Sequence, residues 1–174
     1  MPSVRQTHVE VYVFRRRGPR VEFLCLRRSP GRTLAGVWQP VTGRRRGRER
    51  AVQAAIRETI EETGVRPRRM WALETISIYF DAALDAVQLL PLFAAEIGAR
   101  DRIRLSPEHD AFRFLGARAA GARYLWDAQR RGLEAVRSQV LERPSLARAL
   151  ELRLSPRAGP AIPPVLPRTR VRMK

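Results

Sequence analysis

The sequence of 174 residues contains one cysteine, one lysine and no long hydrophobic run. The single thiol, Cys25, excludes an internal disulfide framework and suits a reducing compartment. No apolar stretch approaches the roughly 20 residues that a membrane-spanning helix requires. The first residues also lack the apolar block of a secretion signal. We therefore expect a cytoplasmic protein without a membrane partner.

Acidic residues are scarce as well, because 17 Asp and Glu stand against 34 Lys and Arg, which gives a formal net charge of +17. Lys174 is the only lysine, so arginine carries nearly all of the positive charge. Two interpretations stay open. The excess charge attracts polyanions such as nucleotides or nucleic acid, or arginine simply replaces lysine on ordinary solvated faces. The charge supports an anionic substrate, with nucleic acid as a possible but not a required partner.

The hydrophobic pattern predicts one domain in which strands and helices alternate. Strands are predicted over 8–15, 21–27, 70–80, 86–97 and 111–116, with a short strand or loop over 36–43. Helices are predicted over 49–63, ending at Gly64, and over 124–142 and 145–153. In the second helix, Leu125, Leu133, Val136 and Val140 fall on one apolar arc. This order indicates an α/β fold with helices packed on a mixed sheet.

The domain boundary follows from composition. Residues 1–154 contain all of the predicted elements, whereas residues 155–174 are rich in proline and arginine and hold few candidates for a core. We therefore predict a domain over 1–154 and a mobile tail over 155–174. The sequence does not indicate an oligomeric state.

The helix predicted over 49–63 carries a concentration of carboxylates. Glu58, Glu61 and Glu62 are spaced i, i+3 and i+4, so their side chains gather on one arc near the helix C-terminus. The macrodipole disfavours anions there, and like charges repel by roughly a few tenths of a kcal/mol per exposed pair. Either a hard divalent cation such as Mg²⁺ relieves this repulsion, or the arc is a solvated acidic face paired with arginines such as Arg57.

The spacing around this helix extends over 23 residues, GRRRGRERAVQAAIRETIEETGV, from Gly43 to Val65. It resembles the Nudix box, which reads Gly, five residues, Glu, seven residues, Arg-Glu, an apolar residue, any residue, Glu-Glu, any residue, Gly and an apolar residue. Thr59 departs from the pattern, although its methyl group still suits packing. The positions in register are Gly43, Glu49, Arg57, Glu58, Glu61, Glu62, Gly64 and Val65.

The resemblance implies a loop–helix–loop held against a mixed sheet in an α/β/α sandwich, with a C-terminal helix packed on the sheet. It also implies that Glu58 and Glu62 are ligands of Mg²⁺, for which Mn²⁺ is a possible substitute. Glu61 is implied to be a ligand or to take part in water activation, and the carbonyl of Gly43 is a further ligand candidate.

The remaining pair of the box, Glu49 and Arg57, is implied to brace the loop against the helix, and Glu49 reaches a metal in some members. Enzymes with this box hydrolyse a phosphoanhydride bond. From a nucleoside triphosphate, the usual products are a monophosphate and pyrophosphate.

Three further stretches resemble the bacterial dihydroneopterin triphosphate/dATP pyrophosphohydrolase subgroup. They are Leu26-Arg27-Arg28, the run WQPVTG that begins at Trp38, and Ser106-Pro107-Glu108-His109. The implied substrate is a nucleoside or pterin triphosphate. Glu108 is then a candidate metal ligand or general base, and its alternative role is that of an N-cap-like acid in a loop.

Other candidates for substrate binding carry two interpretations each. Arg27 and Arg28 either fork onto phosphate oxygens or are solvated strand ends. The run Arg44–Arg46 either contacts phosphates or faces water. Trp38 either stacks on a base or pterin ring or wedges its loop into the core. Tyr79 either lines a base pocket or packs within a strand.

Alternative functions also stay open. Tyr79 lies near the position at which dinucleotide-cleaving Nudix members often carry a tyrosine, and the net charge suits RNA. A dinucleoside polyphosphate or a 5′-triphosphate RNA end is therefore the alternative substrate. A non-catalytic nucleotide-binding module is less favoured, because no box carboxylate is missing. His8, His109 and Cys25 show no ligand spacing, so we expect structural roles for them.

Overall fold

The computed structural model describes residues 2–154. The tail predicted over 155–174 lies outside the described residues. Within residues 2–154, no helix is both long and apolar enough to cross a membrane. The strands are β1 Ser3–Arg5, β2 His8–Arg17, β3 Arg20–Arg28, β4 Trp38–Gln39, β5 Val41–Arg44, β6 Arg69–Asp81, β7 Ala86–Ile97 and β8 His109–Leu115. The helices are α1 Ala51–Thr63, α2 Ala117–Gly121, α3 Asp127–Val136 and α4 Pro144–Leu150, with a π-helical turn at Arg137–Leu141 between the last two.

All of these strands join one mixed sheet around β2. Strand β2 runs antiparallel to β3 and β5 and parallel to β7. Strands β6 and β7 form a long antiparallel hairpin, β1 pairs in parallel with β7, and β4 and β8 pair with β3. Strands β2 and β3 are likewise antiparallel neighbours in the chain, and the predicted mixed sheet is confirmed.

Alternate side chains of β2 enter two separate cores, because successive residues of a strand point to opposite faces of the sheet. Val9, Val11 and Val13 pack on the face that α1 covers. Tyr12 and Phe14 pack on the opposite face, which α3 and α4 cover. The expected α/β/α sandwich is therefore confirmed.

Helix α1 ends where the sequence predicts. Gly64 adopts a φ of 70° in the left-handed region, and its N–H donates to the carbonyl of Ile60, a C-cap that glycine adopts without steric cost. Thr59, which departs from the family pattern, is fully buried, and its hydroxyl donates to the carbonyl of Ala55 at 2.7 Å. The threonine is therefore accommodated in the core.

The second predicted helix differs from the structure in its length. It begins at Asp127 rather than near 124, because Trp126 has an extended backbone, and its final turn is π-helical. Leu125 therefore precedes the helix and is 46% exposed, so its assignment to the apolar arc is wrong. The three other members of that arc are buried. The sequence pattern missed β1 and α2, which are too short to show a period.

A carboxylate lies buried between β2 and α3. Glu10 is 4% exposed and is hydrogen-bonded by the Tyr12 hydroxyl and by the side chain of Gln129. Burial raises the pKa of Glu10 from 4.5 to about 7, and the hydrogen bonds offset part of this rise. The folded state therefore holds the proton at a pH where the unfolded chain has lost it. Glu10 consequently lowers the free energy of unfolding as the pH rises from 4.5 to about 7.

We predict that Glu10→Gln removes this contribution. The amide keeps an acceptor for Tyr12 and supplies a donor for Gln129 Oε1, which has no hydrogen-bond partner among the described residues. The expected gain in the free energy of unfolding at pH 8 is about 3 kcal/mol, since one pKa unit corresponds to roughly 1.4 kcal/mol. Urea denaturation at pH 5 and pH 8 measures it, with Glu134→Gln on the exposed face of α3 as the control. An unchanged pH dependence in Glu10→Gln would contradict the assignment.

Candidate active site

A cleft of about 500 Å³ lies where α1 meets β5. Its wall combines acidic and basic side chains from segments that are far apart in the sequence, namely the end of β3, strand β5, helix α1 and the residue before β8. The residues that line it are His8, Arg28, Thr42, Gly43, Arg44, Arg45, Arg46, Glu58, Glu61 and Glu108. The fold therefore brings together on one wall eight of the candidates that the sequence suggested, namely Arg28, Gly43, Arg44, Arg45, Arg46, Glu58, Glu61 and Glu108.

Arg57 connects the loop before α1 to the carboxylates of the helix. Its guanidinium donates to both carboxylate oxygens of Glu49 at 2.9 and 2.8 Å and to the carbonyl of Arg44 at 2.8 Å. It also donates to Glu58 at 2.7 Å and to Glu61 at 3.0 Å. The hydrogen bonds from Arg57 to Glu49 hold the pKa of Glu49 below its usual value. The contact between Glu49 and Arg57, which the family resemblance implies, is present.

Glu62 has a different environment from the other carboxylates of α1. It is 3% exposed, and its Oε2 has no hydrogen-bond partner among the described residues. Burial raises the pKa of Glu62 well above 4.5, and the negative charges of Glu58 and Glu108 raise it further. A buried carboxylate without a paired positive charge is costly. A cation beside Glu62 would remove this cost.

His109 lies beside Glu62 on the buried side. Its Nδ1 is 3.9 Å from Glu62 Oε2, which is too long for a hydrogen bond, and neither ring nitrogen has a partner among the described residues. Burial lowers the pKa of His109 to about 4, and Arg28 contributes in the same direction. The imidazole is therefore neutral at pH 7 and brings no positive charge next to Glu62. Sequence reasoning missed this contact, and its only signal was the adjacency of His109 to Glu108.

The donor atoms of the site suit a hard divalent cation. The carboxylates of Glu58, Glu61, Glu62 and Glu108 supply the oxygen ligands that Mg²⁺ prefers, and Glu62 has an oxygen without a partner. Among the described residues, no three Asp, Glu, His or Cys side chains already converge on one point. Glu58 and Glu61 are instead turned toward Arg57, so cation binding requires a rotation of these two side chains.

Gly43 borders this site at a position that has no room for a side chain. A Cβ atom at this position would lie 2.0 Å from both Cγ and Cδ of Glu58. The glycine that begins the box therefore keeps open the space that Glu58 fills.

The two arginines at the end of β3 have different surroundings. Arg28 lines the cleft and lies 4.0 Å from Glu108. Arg27 points away from the cleft and forms a double hydrogen bond with Asp110 at 2.8 and 3.0 Å. Because neighbouring strand residues alternate in direction, only one of the pair reaches the cleft.

The two aromatic candidates do not line the cleft. Trp38 is half-buried and packs against the core beneath α3. The Cζ atoms of Arg27 and Arg123 lie 5.8 and 5.2 Å from the centre of its ring. These contacts favour the interpretation of Trp38 as a core residue. Tyr79 is 45% exposed on β6, opposite Gln88 of β7. By contrast, Arg44–Arg46 line the cleft, as does His8.

The chain is similar in sequence to known proteins. The family model described as NUDIX domain matches residues 4–136. The asymmetrical bis(5′-nucleosyl)-tetraphosphatase of Rattus norvegicus is 35% identical over 98 residues, which cover 55% of this chain and 65% of that protein. The octanoyltransferase of Myxococcus xanthus is 34% identical over 114 residues, which cover 62% of this chain and 30% of that protein. The chain therefore spans less than two thirds of the length of either relative.

A solved structure has the same fold. The dihydroneopterin triphosphate pyrophosphohydrolase of E. coli superposes with a TM-score of 0.63 at 22% identity, covering 77% of this chain and 96% of that chain. At this level of identity, the similarity shows the fold alone.

We predict that Gly43→Ala weakens the binding of Mn²⁺, used as a probe for the divalent site, by at least about tenfold. The added methyl group would occupy the space of the Glu58 side chain and displace it. Isothermal titration calorimetry measures the affinity, and circular dichroism checks that the fold is retained. Gly116→Ala is the matched control, because a Cβ there meets nothing within 4 Å. Wild-type Mn²⁺ affinity in Gly43→Ala would argue against a cation site at Glu58.

Proposed function

Because the chain belongs to the Nudix family, we propose that it is a Mg²⁺-dependent pyrophosphohydrolase that cleaves a phosphoanhydride bond of a nucleoside-triphosphate-like substrate. The observation that carries this proposal is the burial of Glu62 with an Oε2 that has no hydrogen-bond partner among the described residues, next to a cleft that contains Glu58 and Glu108. When bound, a divalent cation neutralises the phosphate chain and lowers the pKa of a coordinated water.

In this proposal the carboxylates divide into two groups. Glu58 and Glu62 hold the cation, and Glu61 and the Gly43 carbonyl are the further ligand candidates. Glu49 instead serves as a brace, since Arg57 donates to both of its carboxylate oxygens. This division agrees with the burial of Glu62 and with the position of Glu61 on the cleft wall.

In this proposal, arginine side chains bind the phosphate chain of the substrate. Arg28, Arg44, Arg45 and Arg46 line the same cleft as the carboxylates. A guanidinium presents several N–H donors in a plane and binds phosphate oxygens in pairs. The cleft thus contains a region for cations and a region for anions side by side, as a complex of Mg²⁺ with a polyphosphate requires.

Glu108 is our candidate for the general base. Its side chain is 49% exposed and lies on the cleft wall, 4.0 Å from Arg28. A solvent-accessible carboxylate there can take a proton from an attacking water. In the proposed step, the water oxygen bonds to phosphorus, the bridging P–O bond breaks, and pyrophosphate leaves from a triphosphate. Glu61, which also lines the cleft, is the second candidate for this role.

The substrate class rests on sequence resemblance more than on geometry. The stretch WQPVTG favours a nucleoside or pterin triphosphate. The similarity to the rat tetraphosphatase favours a dinucleoside polyphosphate as the second candidate. Among the residues proposed to contact the substrate, Tyr79 lies outside the cleft lining, whereas Arg28 forms part of it. A non-catalytic binding module is disfavoured by the complete set of box carboxylates.

We also propose a cytoplasmic location. Cys25 is the single cysteine of the sequence and is buried as a free thiol, so this chain uses no internal disulfide, as suits a reducing compartment.

We predict that the purified protein with Mg²⁺ releases pyrophosphate from at least one nucleoside or pterin triphosphate. Glu62→Gln lowers kcat by at least about 100-fold, the upper end of what loss of an outer-shell partner costs at metal sites. In metal-free buffer the melting temperature of the same variant exceeds that of the wild type increasingly as the pH rises, because the amide cannot acquire the buried charge that Glu62 takes on above its raised pKa. The matched control is Glu74→Gln, an exposed glutamate of β6. Full activity in Glu62→Gln would remove the basis of the ligand assignment.

We further predict that triphosphates have the highest kcat/KM in a panel of nucleotide substrates. The panel contains (d)NTPs, dihydroneopterin triphosphate, diadenosine polyphosphates, sugar nucleotides and capped RNA, and chromatography identifies the products. A higher kcat/KM for diadenosine tetraphosphate would instead support the second substrate class.

A further inference from the structure

A second concentration of arginine lies apart from the cleft. Two depressions, of about 400 and 430 Å³, share Arg68 and have no lining residue in common with the cleft. We call the two together the basic surface. Its arginines are Arg66, Arg68, Arg69, Arg102, Arg104, Arg148 and Arg153. The acidic residues that line it are Asp101 and Glu151.

The two acids compensate only part of this charge. Asp101 pairs with Arg68 at 3.2 Å, and Glu151 pairs with Arg69 at 2.7 Å. The remaining positive charge includes four exposed side chains that form no ion pair within residues 2–154. These are Arg102, Arg104, Arg148 and Arg153. Like charges held around two connected depressions repel one another, and a bound polyanion would relieve this repulsion.

The shape of the basic surface indicates the kind of polyanion. One small anion would occupy one depression, whereas two depressions joined at Arg68 suit a chain of phosphates. Among residues 2–154, no aromatic side chain lines either depression, so these residues offer no platform on which bases could stack. Contacts to the phosphate backbone position a nucleic acid without reading its sequence.

The sequence that follows the basic surface adds positive charge. Leu152 and Leu154 line one of the depressions, and residues 155–174 follow directly. This segment contains four arginines and Lys174 but no acidic residue. The positive charge therefore continues along the chain from the edge of the basic surface.

We propose that the basic surface binds the phosphate backbone of nucleic acid independently of the catalytic cleft. This binding goes beyond the proposed hydrolysis of small triphosphates, because the two sites share no residue. RNA and DNA are bound alike, since their backbones present the same phosphate groups to the guanidinium side chains.

The test compares two variants of the full chain with equal net charge. The first replaces Arg102, Arg104, Arg148 and Arg153 of the basic surface by Gln. The control replaces four exposed arginines elsewhere by Gln, namely Arg17, Arg20, Arg118 and Arg131. Fluorescence anisotropy with a labelled 20-nucleotide RNA, and with DNA of the same sequence, gives the dissociation constants over a series of salt concentrations.

The expected result is a loss of affinity of at least tenfold in the first variant, with a much smaller loss in the control. The slope of log K against log salt becomes less steep by up to about 3 when four phosphate contacts to a single strand are lost. Equal losses in the first variant and the control would overturn the proposal, because they would indicate a non-local effect of net charge. A strong preference for the RNA over the DNA, or for the DNA over the RNA, would also overturn it.

Assays of hydrolysis distinguish the proposed nucleic-acid binding from the proposed hydrolase function. Both quadruple variants should release pyrophosphate from triphosphates at the wild-type rate, because none of the substituted residues lines the cleft. Absence of any hydrolysis together with site-dependent nucleic-acid binding would reject the proposed function and leave this inference standing. A parallel loss of hydrolysis and binding in the first variant alone would show that the two sites are not independent.

Discussion

The five hydrogen bonds of the Arg57 guanidinium are the interaction on which the site depends. They fasten the loop to α1 and place one positive charge among the carboxylates of Glu49, Glu58 and Glu61, of which Glu61 also pairs with Arg46 at 2.9 Å. Without this arginine, Glu58 and Glu61 would repel one another in the C-terminal half of α1, where the helix dipole already disfavours anions. Glu62 lies outside this network and lacks a paired cation. The carboxylate that is most costly to ionise is therefore buried beside the cleft, where a divalent cation would bring the largest gain.

The pairing of the strands determines which residues lie next to the carboxylates of α1. Strand β2 is paired with β5 along residues 8–11, which places Gly43 next to the helix that carries the glutamates. The pairing of β3 with β8 brings Arg28 next to His109, so that Glu108 reaches the same cleft. Residues that are distant in the sequence thus meet at one edge of the sandwich. The opposite face of the sheet holds the larger aromatic core and takes no part in lining the cleft.

The sequence predicts most closely those elements that depend only on the spacing of residues near one another in the chain. The period of α1, its glycine cap and the strand over 86–97 follow from spacing within a few residues. The contact of Arg57 with Glu49 follows from the family pattern. The sequence did not reveal the contact of His109 with Glu62, because it joins residues that are 47 positions apart through the pairing of β3 with β8. The helical pattern also grouped Glu62 with the other carboxylates, whereas packing on the sheet buries it alone.

The most direct test of the cation-binding role is a crystal structure with Mn²⁺ and a non-hydrolysable triphosphate, in which anomalous scattering locates the metal. The expected result is an ion bonded to oxygens of Glu58 and Glu62, with Arg57 still bonded to Glu49 and the phosphates against Arg28 or the arginines that follow β5. A triphosphate bound elsewhere, beside a metal-free helix whose Glu58 remains paired with Arg57, would contradict the role proposed for these carboxylates.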